Sequence, residues 1–199
     1  MKFTFTLLFL TTFFLVSAQV STTEGGLLGG QLFSKEITES RVKEFIVSEL
    51  LELPNKKLLE VEIDGLTASA SGELTTVIYS CKELNKKGMI FGFWNLYVNE
   101  FNVRYKGYAF KHFDFGTANE LVNSLDEVLD EKKSIIKLKD NQGLSKNAVY
   151  KFDDVTFIFY KNELGSNLIR VLWNGFDSEW NQANVKAMSR RMKRFFEDK

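Results

Sequence analysis

Hydrophobic and polar positions follow two periods along this chain, and the switches between them predict its elements. Ile37, Val42, Phe45, Ile46, Leu50 and Leu53 recur at near-helical spacing and make one apolar face. Ser34 stands where a helix cap belongs, and Glu36 and Glu39 follow in the early turns, where carboxylates suit the positive end of the helix dipole. Pro54, the only proline, ends the helix near residue 53. Leu59, Val61 and Ile63 then alternate with Glu60, Glu62 and Asp64, which predicts a half-buried strand closed by an Asp64-Gly65 turn. Residues 67–72 are small and polar, a loop or weak edge. Residues 74–81 are rich in β-formers and predict a second strand.

Asn85-Lys86-Lys87-Gly88 is a turn signal, and it leads into the most aromatic part of the chain. Between residues 88 and 115 lie Phe91, Phe93, Trp94, Tyr97, Phe101, Tyr105, Tyr108, Phe110, Phe113 and Phe115, together with the single histidine, His112. Residues 89–94 are apolar at both parities, as in a central strand covered on both faces. Residues 95–102 are expected to connect, and residues 103–115 to resume as a long strand. Its apolar parity switches at Gly107, which predicts a β-bulge there. This run is the expected centre of the fold.

Thr117-Ala118-Asn119-Glu120 fits a capping box. The helix it opens carries Leu121, Leu125, Val128 and Leu129 inward and ends near Lys132 and Lys133. Asn141-Gln142-Gly143 predicts a turn. Residues 148–152 and 155–160 read as strands broken at Asp153-Asp154, and residues 168–173 as another, closed by Asn174-Gly175. Asp177 or Ser178 is the expected cap of a last helix with Val185, Met188, Met192, Phe195 and Phe196 inside. The fold class is α+β: a mostly antiparallel sheet of about six strands, with three helices collected on one face. A strand-strand-helix unit is used twice, with residues 89–95 and 168–174 in similar places, each ending in Trp-Asn.

The first eighteen residues change the domain picture. Lys2, an apolar run from Leu7 to Val16 and the small residues of Val16-Ser17-Ala18 have the form of a secretory signal cut before Gln19. The apolar run is too short to span a bilayer, and no later segment is a candidate, so the mature chain is expected to carry no transmembrane segment. Residues 19–33, with Gly25-Gly26 and Gly29-Gly30, are expected to be a flexible lead-in, and residues 34–199 a single α+β domain. The lead-in is not a phosphate loop, because no strand precedes it and no Gly-Lys-Ser/Thr follows. The 26 basic and 26 acidic residues balance, which gives no pull toward nucleic acid. No asparagine starts an Asn-x-Ser/Thr site, which leans toward a bacterial periplasmic or extracellular protein.

One cysteine, Cys81, leaves no disulfide and no thiolate zinc site, so core burial must hold the chain. Cys81 with His112 and Asp114 could in principle make a nucleophile, base and orienting acid, the basis of a hydrolase alternative. Cys81 shares a strand face with Val77 and Tyr79, however, so burial is the plainer expectation. No metal-ligand spacing stands out, and no cofactor is implied. Lys186, Arg190, Lys193 and Arg194 form a basic face on the last helix, with Arg191 at its edge. That face would serve a structural or cell-surface interaction protein, or simply be solvated. The leading expectation is a non-enzymatic exported domain that binds a ligand or protein partner through the aromatic sheet. Phe93, Trp94, Tyr105, Tyr108 and His112 are the ligand-binding candidates.

Overall fold

The structure is a computed structural model that describes residues 27–135 and 147–197. The expected signal segment (residues 1–18), residues 19–26 of the expected lead-in and the expected Asn141-Gln142-Gly143 turn lie outside them. The described residues open with α1 (Leu27–Phe45), whose last turn widens into a π-helix over Ile46–Leu50. Then come β1 (Glu62–Ala68), β2 (Leu74–Cys81), β3 (Lys86–Val98), β4 (Arg104–Asp114) and α2 (Phe115–Ile135). The second half is β5 (Ala148–Phe152), β6 (Val155–Lys161), β7 (Asn167–Trp173), β8 (Phe176–Asn181) and α3 (Gln182–Glu197).

The α+β class and the antiparallel pairing are as expected, but among the described residues the strands number eight and divide into two sheets. Each sheet is a meander in chain order, β1-β2-β3-β4 and β5-β6-β7-β8, and each is followed by a helix. The repeated unit is therefore four strands and a helix, with residues 89–95 and 168–173 each on the third strand of its sheet and Asn174 in the turn that follows. The helices do not collect on one face. Val77, Tyr79, Cys81 and Ile90 pack under Val42, Ile46 and Leu51 of the first helical segment. On the opposite face of the first sheet, Leu74, Ile78, Met89, Phe91, Phe93 and Phe113 share the main core with α2, α3 and one face of the second sheet. That double cover is why residues 89–94 are apolar at both parities. The second sheet is one-sided: Phe176, Ser178 and Trp180 of β8 are buried while Asp177, Glu179 and Asn181 are exposed.

Local chemistry explains where the elements begin and end. α1 starts at Leu27 rather than Ser34, so residues 27–33 of the expected lead-in are helical. Each added residue gains one hydrogen bond once a helix is nucleated, which lets a packed helix extend back through glycines. At its other end the Leu51 amide donates to the Ile46 carbonyl at 3.0 Å, a five-residue step. The extra residue turns Leu51 into the core and leaves Leu53 exposed. The first strand runs through Asp64-Gly65 instead of turning there. It carries its bulge between Gly65 and Thr67, where Glu39 of α1 crosses close over Gly65.

β4 keeps one register against β3 from Gly88↔Asp114 to Val98↔Arg104, so Gly107 is not a bulge. Its parity switch arises because successive residues serve two different cores: Phe110 stacks on Phe45, while Phe113 joins the main core. The β2–β3 turn closes at 82–85, three residues earlier than expected, with Asn85 at φ 51. Asp114, not Thr117, caps α2, accepting the Thr117 amide at 2.9 Å and its hydroxyl at 3.1 Å. Asn181, not Asp177 or Ser178, caps α3. Its Oδ1 accepts from the Asn184 amide at 3.2 Å, and the Asn184 Oδ1 accepts from the Asn181 amide at 2.8 Å. Asn174 and Gly175 both have positive φ and close the β7–β8 hairpin in two residues. No described helix is long and apolar enough to cross a membrane.

Candidate functional site at the end of the β3–β4 hairpin

β3 and β4 outrun the rest of their sheet. β2 pairs with β3 only as far as Leu74↔Phe93, whereas β3 and β4 stay paired to Val98↔Arg104. Residues 94–108 thus continue as a two-stranded ribbon. The turn at its end is built by asparagine: Asn99 Oδ1 accepts from the amides of Phe101 at 3.0 Å and Val103 at 2.9 Å. The Asn102 amide returns to the Asn99 carbonyl at 3.0 Å, with Asn102 at φ 63. These bonds fix the backbone and leave Phe101 outside, 76% exposed.

A bare ribbon is marginally stable in water, so side chains must hold it. The Trp94 indole donates to the Gly72 carbonyl at 2.6 Å, and the Lys106 ammonium sits 4.3 Å from its ring centre. On the other face Tyr97 stacks on Tyr105 with centroids 5.7 Å apart and meets Phe176 edge-on at 6.4 Å. Gly107 makes the first stack possible, because a Cβ there would stand 2.5 Å from the Tyr97 ring.

Leu96, Tyr97, Val98, Phe101, Val103 and Tyr105 are all exposed. Elsewhere among the described residues exposed large apolar side chains are scattered: Val47, Leu53, Leu58, Val149 and Leu164. Scattered ones are normal on a soluble domain, whereas a contiguous group marks an interaction surface. Arg104 and Lys106 stand beside Val98 and Leu96 on one ribbon face, and Glu100 lies in the turn.

The five ligand-binding candidates divide by strand parity. Trp94, Tyr108 and His112 point to the α1 side, Phe93 and Tyr105 to the other. Phe93 is fully buried against Trp173 and Phe176, at 5.4 and 5.7 Å, and belongs to the core. These five do not line one pocket. Leu96, Val98, Phe101 and Val103, the exposed apolar residues, fall where the sequence reading placed a connection and the start of a strand. The apolar run Leu96-Tyr97-Val98 is the signal that marks the continued strand.

Cys81 and His112 have different partners. The Cys81 thiol is buried and faces the Glu83 carboxylate at 3.7 Å. His112 Nε2 lies 3.1 Å from the Tyr79 hydroxyl, over Gly88. Burial holds the His112 imidazole below its ordinary pKa, as does Lys86, while Asp114 opposes them. Burial and the Asp114 charge push the Tyr79 phenol up. Asp114 sits below the usual carboxylate range chiefly through its bonds from Thr117. It is a helix cap rather than the third member of a relay. Lys186, Arg190, Lys193 and Arg194 are exposed along α3, and Arg191 donates to the Gly65 carbonyl at 2.8 Å. Among the described residues no group of three His, Cys, Asp or Glu is placed to hold a metal ion. No protein-family model, curated protein or solved structure matches this chain significantly.

Proposed function

We propose that this chain is an exported, non-enzymatic domain that binds a ligand or protein partner through the apolar, aromatic end of the β3–β4 ribbon. The observation that carries the reading is the group of six exposed apolar side chains on the two faces of the ribbon end and on its turn, whose backbone is fixed by Asn99. A preformed apolar surface loses little conformational entropy on binding, which favours recognition. Export rests on the leader pattern of the first eighteen residues, and the periplasmic or extracellular setting goes with it. The hydrolase alternative draws no support from geometry, since the Cys81 thiol and the His112 ring each face another group.

The test replaces Val98, Phe101 and Val103 together by serine. All three are exposed, so the fold should lose little stability. Material that co-purifies with the unaltered protein from its source should be lost from the variant. Equal recovery with both proteins would refute the reading.

A further inference from the structure

At the other end of β3, roughly 40 Å from the ribbon turn by strand length, a cleft of about 420 Å³ opens beside the β2–β3 turn. Its size is that of a small-molecule site. We propose that it binds a small organic anion with an aromatic or aliphatic body. Its walls carry two kinds of group. Phe115, from the first turn of α2, and Phe196, from the last turn of α3, meet edge to face at 4.3 Å and supply the apolar side. Lys82, Lys86 and Lys87 line it as well, with Asn85 among them in sequence.

The lysines are not neutralised alike. Lys86 donates to the Leu50 carbonyl at 2.6 Å and lies 3.7 Å from the Glu52 carboxylate. Lys82 and Lys87 have no carboxylate within ion-pair distance among the described residues. The Lys87 ammonium instead stands 4.0 Å from the Phe115 ring centre and 5.5 Å from that of Phe196. Ring faces occupy only part of an ammonium's three N–H donors, so Lys87 is held in place with N–H groups left for an anion. A carboxylate, sulfonate or phosphate monoester there meets Lys87 and Lys82, while its body lies along the two phenyl rings. A bare inorganic anion forgoes the rings, and a neutral amphiphile forgoes the lysines. This site is independent of the ribbon, and neither reading stands on the other.

The probe is 8-anilinonaphthalene-1-sulfonate, followed by fluorescence titration. Its control is N-phenyl-1-naphthylamine, the same ring system without the sulfonate. The unaltered protein should bind the sulfonate saturably. The Lys82→Gln/Lys87→Gln variant should weaken that binding about tenfold or more, as loss of a charge-assisted contact does, and leave the neutral compound unaffected. The ribbon variant V98S/F101S/V103S should bind the sulfonate as the unaltered protein does. Absence of saturable binding overturns the proposal. So does an equal effect of the lysine changes on both compounds, or no effect on either, or sulfonate binding that is lost with the ribbon variant.

Discussion

Gly92 lets the first helix sit close on the sheet, and the consequence can be measured. A Cβ added there would lie 2.4 Å from Cγ2 of Val42, against an ordinary contact of 3.4–4 Å. Val42 is fully buried and β-branched, so its rotamer in a helix is nearly fixed and the methyl cannot swing aside. Gly92→Ala must therefore push α1 outward, a cost of about 1–3 kcal/mol for overpacking. The lower backbone entropy of the unfolded alanine chain offsets only about 0.4–1 kcal/mol of this. Val42→Ala alone removes two buried methyl-sized groups and should cost about 2 kcal/mol. In the double variant the new methyl enters space that Cγ2 vacates, because the two positions are only 2.4 Å apart. The paired changes should then be about 1–2 kcal/mol less destabilising than their sum, read as midpoints and slopes of urea unfolding for all four proteins. Additivity within about 0.5 kcal/mol would refute the close seating of α1 on β3.

His112 is the only histidine. Because burial lowers its pKa from 6.5, the unfolded chain takes up a proton near that pH before the folded one does. Stability should be full above about pH 6.5 and decline as the pH falls through the folded pKa. His112→Gln should flatten the slope between pH 6.5 and 5 in urea unfolding, and an unchanged slope contradicts the burial. Asp114→Ala removes the cap of α2 and should cost about 1 kcal/mol. Asp114→Asn, which keeps an acceptor, should cost less, and equal losses in thermal unfolding would argue against the cap. Cys81, 1% exposed, should react with iodoacetamide only as fast as the structure opens. Labelling of native protein at the rate of a free thiol would show the residue to be accessible.

Much of the first sheet is legible in the sequence because its determinants are local. Residues 74–81 are an unbroken β-forming run, and they coincide with the strand Leu74–Cys81. The apolar residues 89–94 announce cover on both faces, and both cores provide it. What escapes is set by distant partners. Asp64-Gly65 has the composition of a turn, yet it continues in the sheet because β2 offers a ladder and Glu39 needs the space above Gly65. Asp177 and Ser178 have the composition of a cap, yet pairing with β7 makes them a strand, and the cap moves to Asn181. The division into two sheets is fixed by which strands meet, which no single run of residues encodes. The aromatic richness of the candidate site is plain in the sequence. Which of those rings are core and which are surface depends on where β2 stops pairing with β3, and that end point is tertiary.

The claim that the ribbon end exists to be touched is tested most directly by a photo-reactive phenylalanine analogue at position 101, irradiated in the protein's native setting. The control is the same analogue at Leu164, which is 91% exposed in the β6–β7 turn. The account predicts one discrete adduct from position 101 and none in common with position 164. No adduct from position 101, or the same adducts from both positions, would contradict it.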